Sequence, residues 1–244
     1  MARVALAVVI LGAFGVGESR SAQTPLSSIR GRVTDAYGNV MPGVGLVARP
    51  AAGGPLVTLR SRAGGQYEIS GLARGDYDVF AFLGGFDTSR LTGARLRGDT
   101  FELDFRIGLT ATLECAIVEE PPFGTIDGVV ADQKGFPLPF AMVEIKQLSG
   151  TRVSGGRYLR TFGYADSEGR YSANVPAGHH ELSATYPGYV ARARDVSIAV
   201  GKKAVLALTA SPSGARSSSI ESLRSFTNCG KLGFENPAPA PRVR

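Results

Sequence analysis

Residues 29–47 read IRGRVTDAYGNVMPGVGLV, and residues 126–143 read IDGVVADQKGFPLPFAMV. Moving the second stretch back by 97 positions lays Ile126 on Ile29, Gly128 on Gly31, Val130 on Val33 and Asp132 on Asp35. Gly135 then meets Gly38, and Pro139 meets Pro42. Within the stretch Ile29, Gly31 and Val33 alternate with Arg30, Arg32 and Thr34, the two-residue period of a strand with one buried face. DAYGN and DQKG supply the turn that follows, since Asp bonds its own backbone and Gly takes positive φ. The prolines precede the next strand, where a missing N–H does no harm at an edge or a strand start.

The match continues beyond this phrase. GGQYEISGL meets EGRYSANVP at an offset of 104, and GDYDVFAFLGGF meets GHHELSATYPGY at 103. GDTFELDF meets GKKAVLAL, also at 103. The added length falls between the second and fourth expected strands, where a longer surface loop is cheap. The chain therefore holds two copies of one domain. Strands are expected over 29–35, 43–49, 56–62, 66–70, 76–83, 89–97 and 100–107, and again over 126–132, 139–147, 157–164, 170–174, 179–186, 191–198 and 203–209. So many short strands with turn signals between them predict an all-β chain of two tandem seven-stranded Ig-like or transthyretin-like sandwiches. Two facing apolar sheets give even a small copy a usable core.

Outside the copies, MAR precedes VALAVVILGAFGV and then GESRSAQ. A basic start, an apolar run and a small-residue exit read as a signal peptide over residues 1–22, with cleavage after Ser19, Ser21 or Ala22. The run is short of the roughly 20 residues a membrane span requires, and no later segment is long enough. The mature protein is thus expected to be exported, without an integral span. The copies are placed at 29–108 and 126–210, with a linker at 109–125 and a Ser/Pro-rich tail at 211–244. In the tail Ser219 could cap a helical turn over residues 220–223, and Phe226, Leu232 and Phe234 could dock it onto a domain.

The net charge of +6 is spread among acidic residues, as in RGDYD and RARD. A nucleic-acid surface requires a concentrated basic face, so no nucleic-acid partner is expected. Cys115 and Cys229 form neither a CxxC pair nor a Cys/His cluster, which argues against zinc. They remain a candidate disulfide, with two separate thiols as the alternative. The two histidines, His179 and His180, are neighbours that a strand would point to opposite faces, so they cannot readily share a metal. Gly-x-Ser-x-Gly and the phosphate-cradling Gly-rich loop are both missing. ADSEG at 165–169 lacks the alternating oxygen ligands of a calcium loop, and Asp166 with Gly169 suits a hairpin turn better. No catalytic, metal or cofactor site is expected.

The phrase order I-x-G-x-V-x-D-x-x-G-x-x-x-P, then G-x-Y, then G-x-Y/H before an apolar strand, resembles the carboxypeptidase regulatory-like domain, of the transthyretin-like or carboxypeptidase D-type sandwich class. The resemblance implies a seven-stranded sandwich, usually non-catalytic, that accompanies metallopeptidase domains or decorates exported bacterial proteins. It implies roles in folding support, interaction and sometimes sugar binding, and it transfers no active site. The expected function is structural or protein-interacting, in the cell envelope or outside the cell, with a protein or glycan partner. The alternative is a carbohydrate-binding module, because sugar faces stack on exposed rings. Tyr158, Phe162, Tyr164, Tyr186 and Tyr189 of the second copy are the candidate contacts; Tyr67 and Tyr171 occupy equivalent places and are expected in the cores.

Overall fold

The computed structural model describes residues 26–110, 120–214, 219–223 and 233–234. The expected signal peptide and both cysteines lie outside the described residues, as do Phe226 and Leu232. No α-helix occurs among the described residues; one 3₁₀ turn spans Ser154–Gly156.

The first copy contains β1 (Ser27–Asp35), β2 (Gly45–Pro50), β3 (Val57–Arg60), β4 (Gln66–Leu72), β5 (Gly75–Phe82), β6 (Thr88–Leu96), β7 (Thr100–Glu102) and β8 (Phe105–Ile107). The second repeats the series as β9 (Phe123–Asp132), β10 (Met142–Gly150), β11 (Arg160–Tyr164), β12 (Arg170–Pro176), β13 (Gly178–Tyr186), β14 (Tyr189–Ile198), β15 (Lys203–Val205) and β16 (Leu208–Pro212). Two tail strands follow, β17 (Ser219–Leu223) and β18 (Gly233–Phe234). In the first copy β4-β1-β7 faces β3-β2-β5-β6-β17, with β8 pairing further along β1. In the second, β11-β10-β13-β14 is joined edge to edge through β16 to β9-β12-β18. The sandwiches are closed by interdigitating apolar faces: Ile29, Val33, Leu46, Ile69, Val79 and Phe105 in one, and Ile126, Val130, Val143, Ile145, Leu182 and Leu208 in the other. Each such side chain contributes about 1.5–3 kcal/mol on burial.

The expected seventh strand is broken in both copies, so each has eight strands rather than seven. The reason lies in the glycine of I-x-G-x-V. A methyl at Gly31 would overlap the Leu103 carbonyl, and one at Gly128 would overlap that of Leu206. In each copy the carbonyl between the two half-strands turns toward β1 or β9 and accepts a hydrogen bond from a core tyrosine. Tyr67 Oη donates to Leu103 O and Tyr171 Oη to Leu206 O, each at 2.6 Å. Burial holds both phenols protonated far above their ordinary range. Gly and Tyr are thus two halves of one lock that stitches the last strand to the first.

Two expectations fail at the ends. The last three residues of the expected 109–125 linker form the start of β9. Residues 220–223 are strand, not helix, because β17 pairs antiparallel with the edge of β6.

Candidate functional site

The sequence alternates cleanly in β1 and β9 but not in β2 and β5, where GLVAR and YDVFA are buried on both faces. One face of this pair closes the first core. The other carries Val47, Arg49, Asp78 and Phe80, all fully buried, with Phe82 at its margin. A strand covered on both sides requires a second layer, and that layer is the second sandwich. Val47 and Phe80 belong to the second copy's hydrophobic cluster rather than their own.

Arg49 is the centre of this seam. Its Nη2 donates to Asp132 Oδ2 at 2.7 Å and its Nε to Pro137 O at 3.0 Å, both in the second copy. Nη1 returns to Pro50 O at 3.2 Å. The guanidinium carbon stands 5.4 Å from the Tyr186 ring centre and 5.5 Å from that of Tyr189, within cation–π range. Asp78 lies opposite Arg49 across the β2–β5 pair and accepts from Tyr186 Oη at 2.6 Å. Tyr189 Oη and Lys134 Nζ donate to the carbonyls of Ala51 and Ala52. One guanidinium, two carboxylates and two tyrosines are therefore brought together in the buried seam. Removing a single member of a buried pair costs about 3–5 kcal/mol, because the remaining charge is stranded.

Beside the charges, Phe140 stacks at 5.1 Å on Phe80 and 5.2 Å on Phe82. Its backbone φ is +55°, the only positive value at a non-glycine among the described residues. The equivalent residue of the first copy is Gly43, at φ +74°. A side chain in this region costs about 1–2 kcal/mol, and here the cost is offset by ring packing across the seam.

The candidate sugar contacts divide. Tyr158 and Phe162 are exposed, at 42% and 54%, though Arg152 covers one face of the Tyr158 ring at 4.9 Å. Tyr164 is half-buried in a cleft beside Arg90. Tyr186 is withdrawn from any ligand: it is 4% exposed and holds Asp78 and Arg49. Tyr189, half-buried, is committed to the same seam. The five therefore form no single platform.

His179 faces out and His180 is fully buried, on opposite sides of β13. Burial lowers the pKa of His180, which favours the neutral imidazole. Among the described residues no group of three His, Cys, Asp or Glu could hold a metal. Asp166 closes its hairpin by accepting from Glu168 N and Arg170 N. No described helix is long and apolar enough to cross a membrane.

The residues that the sequence reading missed are Arg49, Asp78, Phe80 and Phe140. A signal existed. At the positions of Val47, Arg49, Asp78, Phe80 and Phe82 the second copy carries Glu144, Lys146, Glu181, Ser183 and Thr185. The same sheet face is polar in one copy and largely apolar in the other, so only the first copy's face expects a cover.

The solved structures that resemble the chain include the Bacillus anthracis TIE protein, at 15% identity over 76% of this chain and 34% of that one, with a TM-score of 0.29. BcpA, the major pilin subunit of Bacillus cereus, is 10% identical over 77% of this chain and 100% of its own, with a TM-score of 0.29. A 3-chlorocatechol 1,2-dioxygenase from Rhodococcus opacus matches 42% of this chain and 64% of its own at 14% identity and a TM-score of 0.33. At TM-scores this low the likeness decides neither partner nor activity. No curated protein matches the chain. The family profile of the carboxypeptidase regulatory-like domain, however, matches residues 28–108 and again 125–211. With two matches that together span more than half of its length, the chain belongs to the carboxypeptidase regulatory-like domain family, as two tandem copies.

Proposed function

We propose that this chain is an exported, non-catalytic structural or protein-interaction module of the cell envelope or extracellular space, and that its two sandwiches act as one body. The observation that carries this reading is the buried Arg49 seam. An enzyme concentrates unsatisfied, reactive groups in an open cleft, whereas the Arg49 cluster is buried, internally paired and spent on holding two domains together. A fixed pair presents its outer strands and loops at constant spacing, which suits a spacer or a docking platform.

Fractionation of expressing cells, with N-terminal sequencing and in-cell cross-linking, tests it. The expected result is a mature chain in the envelope or medium that begins after residue 19, 21 or 22 and cross-links to protein. A chain retained inside the cell would overturn the reading. The carbohydrate alternative now rests on Tyr158 and Phe162, the two exposed rings of the second copy. A glycan-array signal abolished by Phe162→Ala would replace the interaction reading with that one.

A further inference from the structure

A second polar centre lies where the tail meets both sandwiches. A cleft of about 460 Å³ is lined by Arg90 of β6, Met142, Tyr164, Thr185 and Tyr186 of the second copy, and residues 221–223 of β17. β17 lies antiparallel along β6, in register from Ser219 opposite Thr92 to Leu223 opposite Thr88. Glu221 reaches Arg90 Nη2 with one oxygen and accepts from Ser219 Oγ with the other. Two residues on, the buried Leu223 joins the second copy's hydrophobic cluster, while Ile220 faces solvent.

This occupant is imperfect. Arg90 is 8% exposed, yet its buried Nε finds no hydrogen-bond partner. Arginine presents Nε and a terminal nitrogen as a fork matched to the two oxygens of a carboxylate, and Glu221 uses half of it. A buried donor left unmade is costly, so a strand that delivered its carboxylate side-on would gain what β17 leaves. The backbone of β6 offers the ladder, the cleft takes an apolar side chain, and the chain's positive net charge favours an acidic approach.

We infer that the edge of β6 is a docking site for an extended acidic strand of a partner protein, with a carboxylate for Arg90 and a large apolar residue two positions later, and that β17 is its built-in competitor. This deepens the interaction reading and rests on it. The tail then sets the threshold: a partner must outcompete a tethered strand of the same pattern.

The test is a fluorescence-anisotropy titration of the full-length chain with the labelled peptide SSIESLR, the sequence of residues 218–224, and with its Glu-to-Gln analogue. Glu221→Gln weakens the resident strand and should raise affinity for the acidic peptide about tenfold over wild type, with the Gln analogue at least fivefold weaker. Arg90→Gln in that background should erase the preference between peptides. Equal binding of both peptides to Glu221→Gln, or binding of neither, overturns the proposal, provided that its melting remains cooperative. A Glu221→Gln chain that dimerises instead of binding peptide overturns it too, since the edge then serves a second copy. A chain found inside the cell would defeat the export reading without altering the titration, so the two failures are distinguishable.

Discussion

The two copies make the same turn after their first strand and use it differently. In the first, Asp35 Oδ1 accepts from the backbone of Tyr37 and Asn39, and Oδ2 from the Asn39 amide. In the second, Asp132 Oδ1 accepts from Lys134 and Phe136 in the same geometry, but Oδ2 takes Arg49 of the other domain. Tyr37 of the first turn is 87% exposed, whereas Asp132 and Phe140 of the second are buried. A duplicated turn was thus converted into a plug, by leaving its local bonds intact and changing what surrounds them. The carboxylate has two oxygens, and the turn needs only one.

That comparison can be broken most severely at Arg49. Arg49→Ala should cost about 3–5 kcal/mol by stranding Asp132 in the seam, and calorimetry should resolve two transitions for the variant against a single one expected for the wild type. Arg30→Ala, which breaks an exposed pair with Glu102, should change stability by about 1 kcal/mol or less. Next in size, Phe140→Ala keeps the unfavourable backbone and empties the ring stack, for a loss of about 3 kcal/mol in chemical denaturation.

His180 distinguishes the copies by pH, since Tyr77 stands at its place in the first. Its folded pKa is lowered from 6.5 by burial, so below that value the unfolded state binds the extra proton. Stability is full above pH 6.5 and falls as the pH drops toward the folded value, by up to about 1.4 kcal/mol per unit. His180→Leu should flatten the pH dependence of the unfolding midpoint between pH 6.5 and 5. A small effect, about 1 kcal/mol by thermal melting, is expected at Gly43→Ala. No atom lies near the added methyl there, and only the positive φ resists it.

Much of the fold was legible because it is local. The alternation of Ile29, Gly31 and Val33, the Asp-Gly turns and the paired tyrosines each act within a strand or between strands of one copy. The candidate site was less legible because its parts act between copies. Tyr186 and Tyr189 look like any aromatic pair near a hairpin until Arg49, some 140 positions away, is found beneath them. The tail misled for the same reason: Ser219 has the chemistry of a helix cap, but β6 offered an unpaired edge that a single helical turn over residues 220–223 could not match. A local preference of that size yields to a ladder of backbone bonds.

By itself the sequence determined that there are two sandwiches and where their first strands lie. Only the tertiary structure decided that the second turn plugs the first domain's outer face, that Phe140 is held at positive φ to do so, and that the tail closes β6. The periodicity of a strand marks a face as apolar because neighbouring side chains alternate. It carries no information about which distant surface will cover that face, since this depends on how two finished bodies fit.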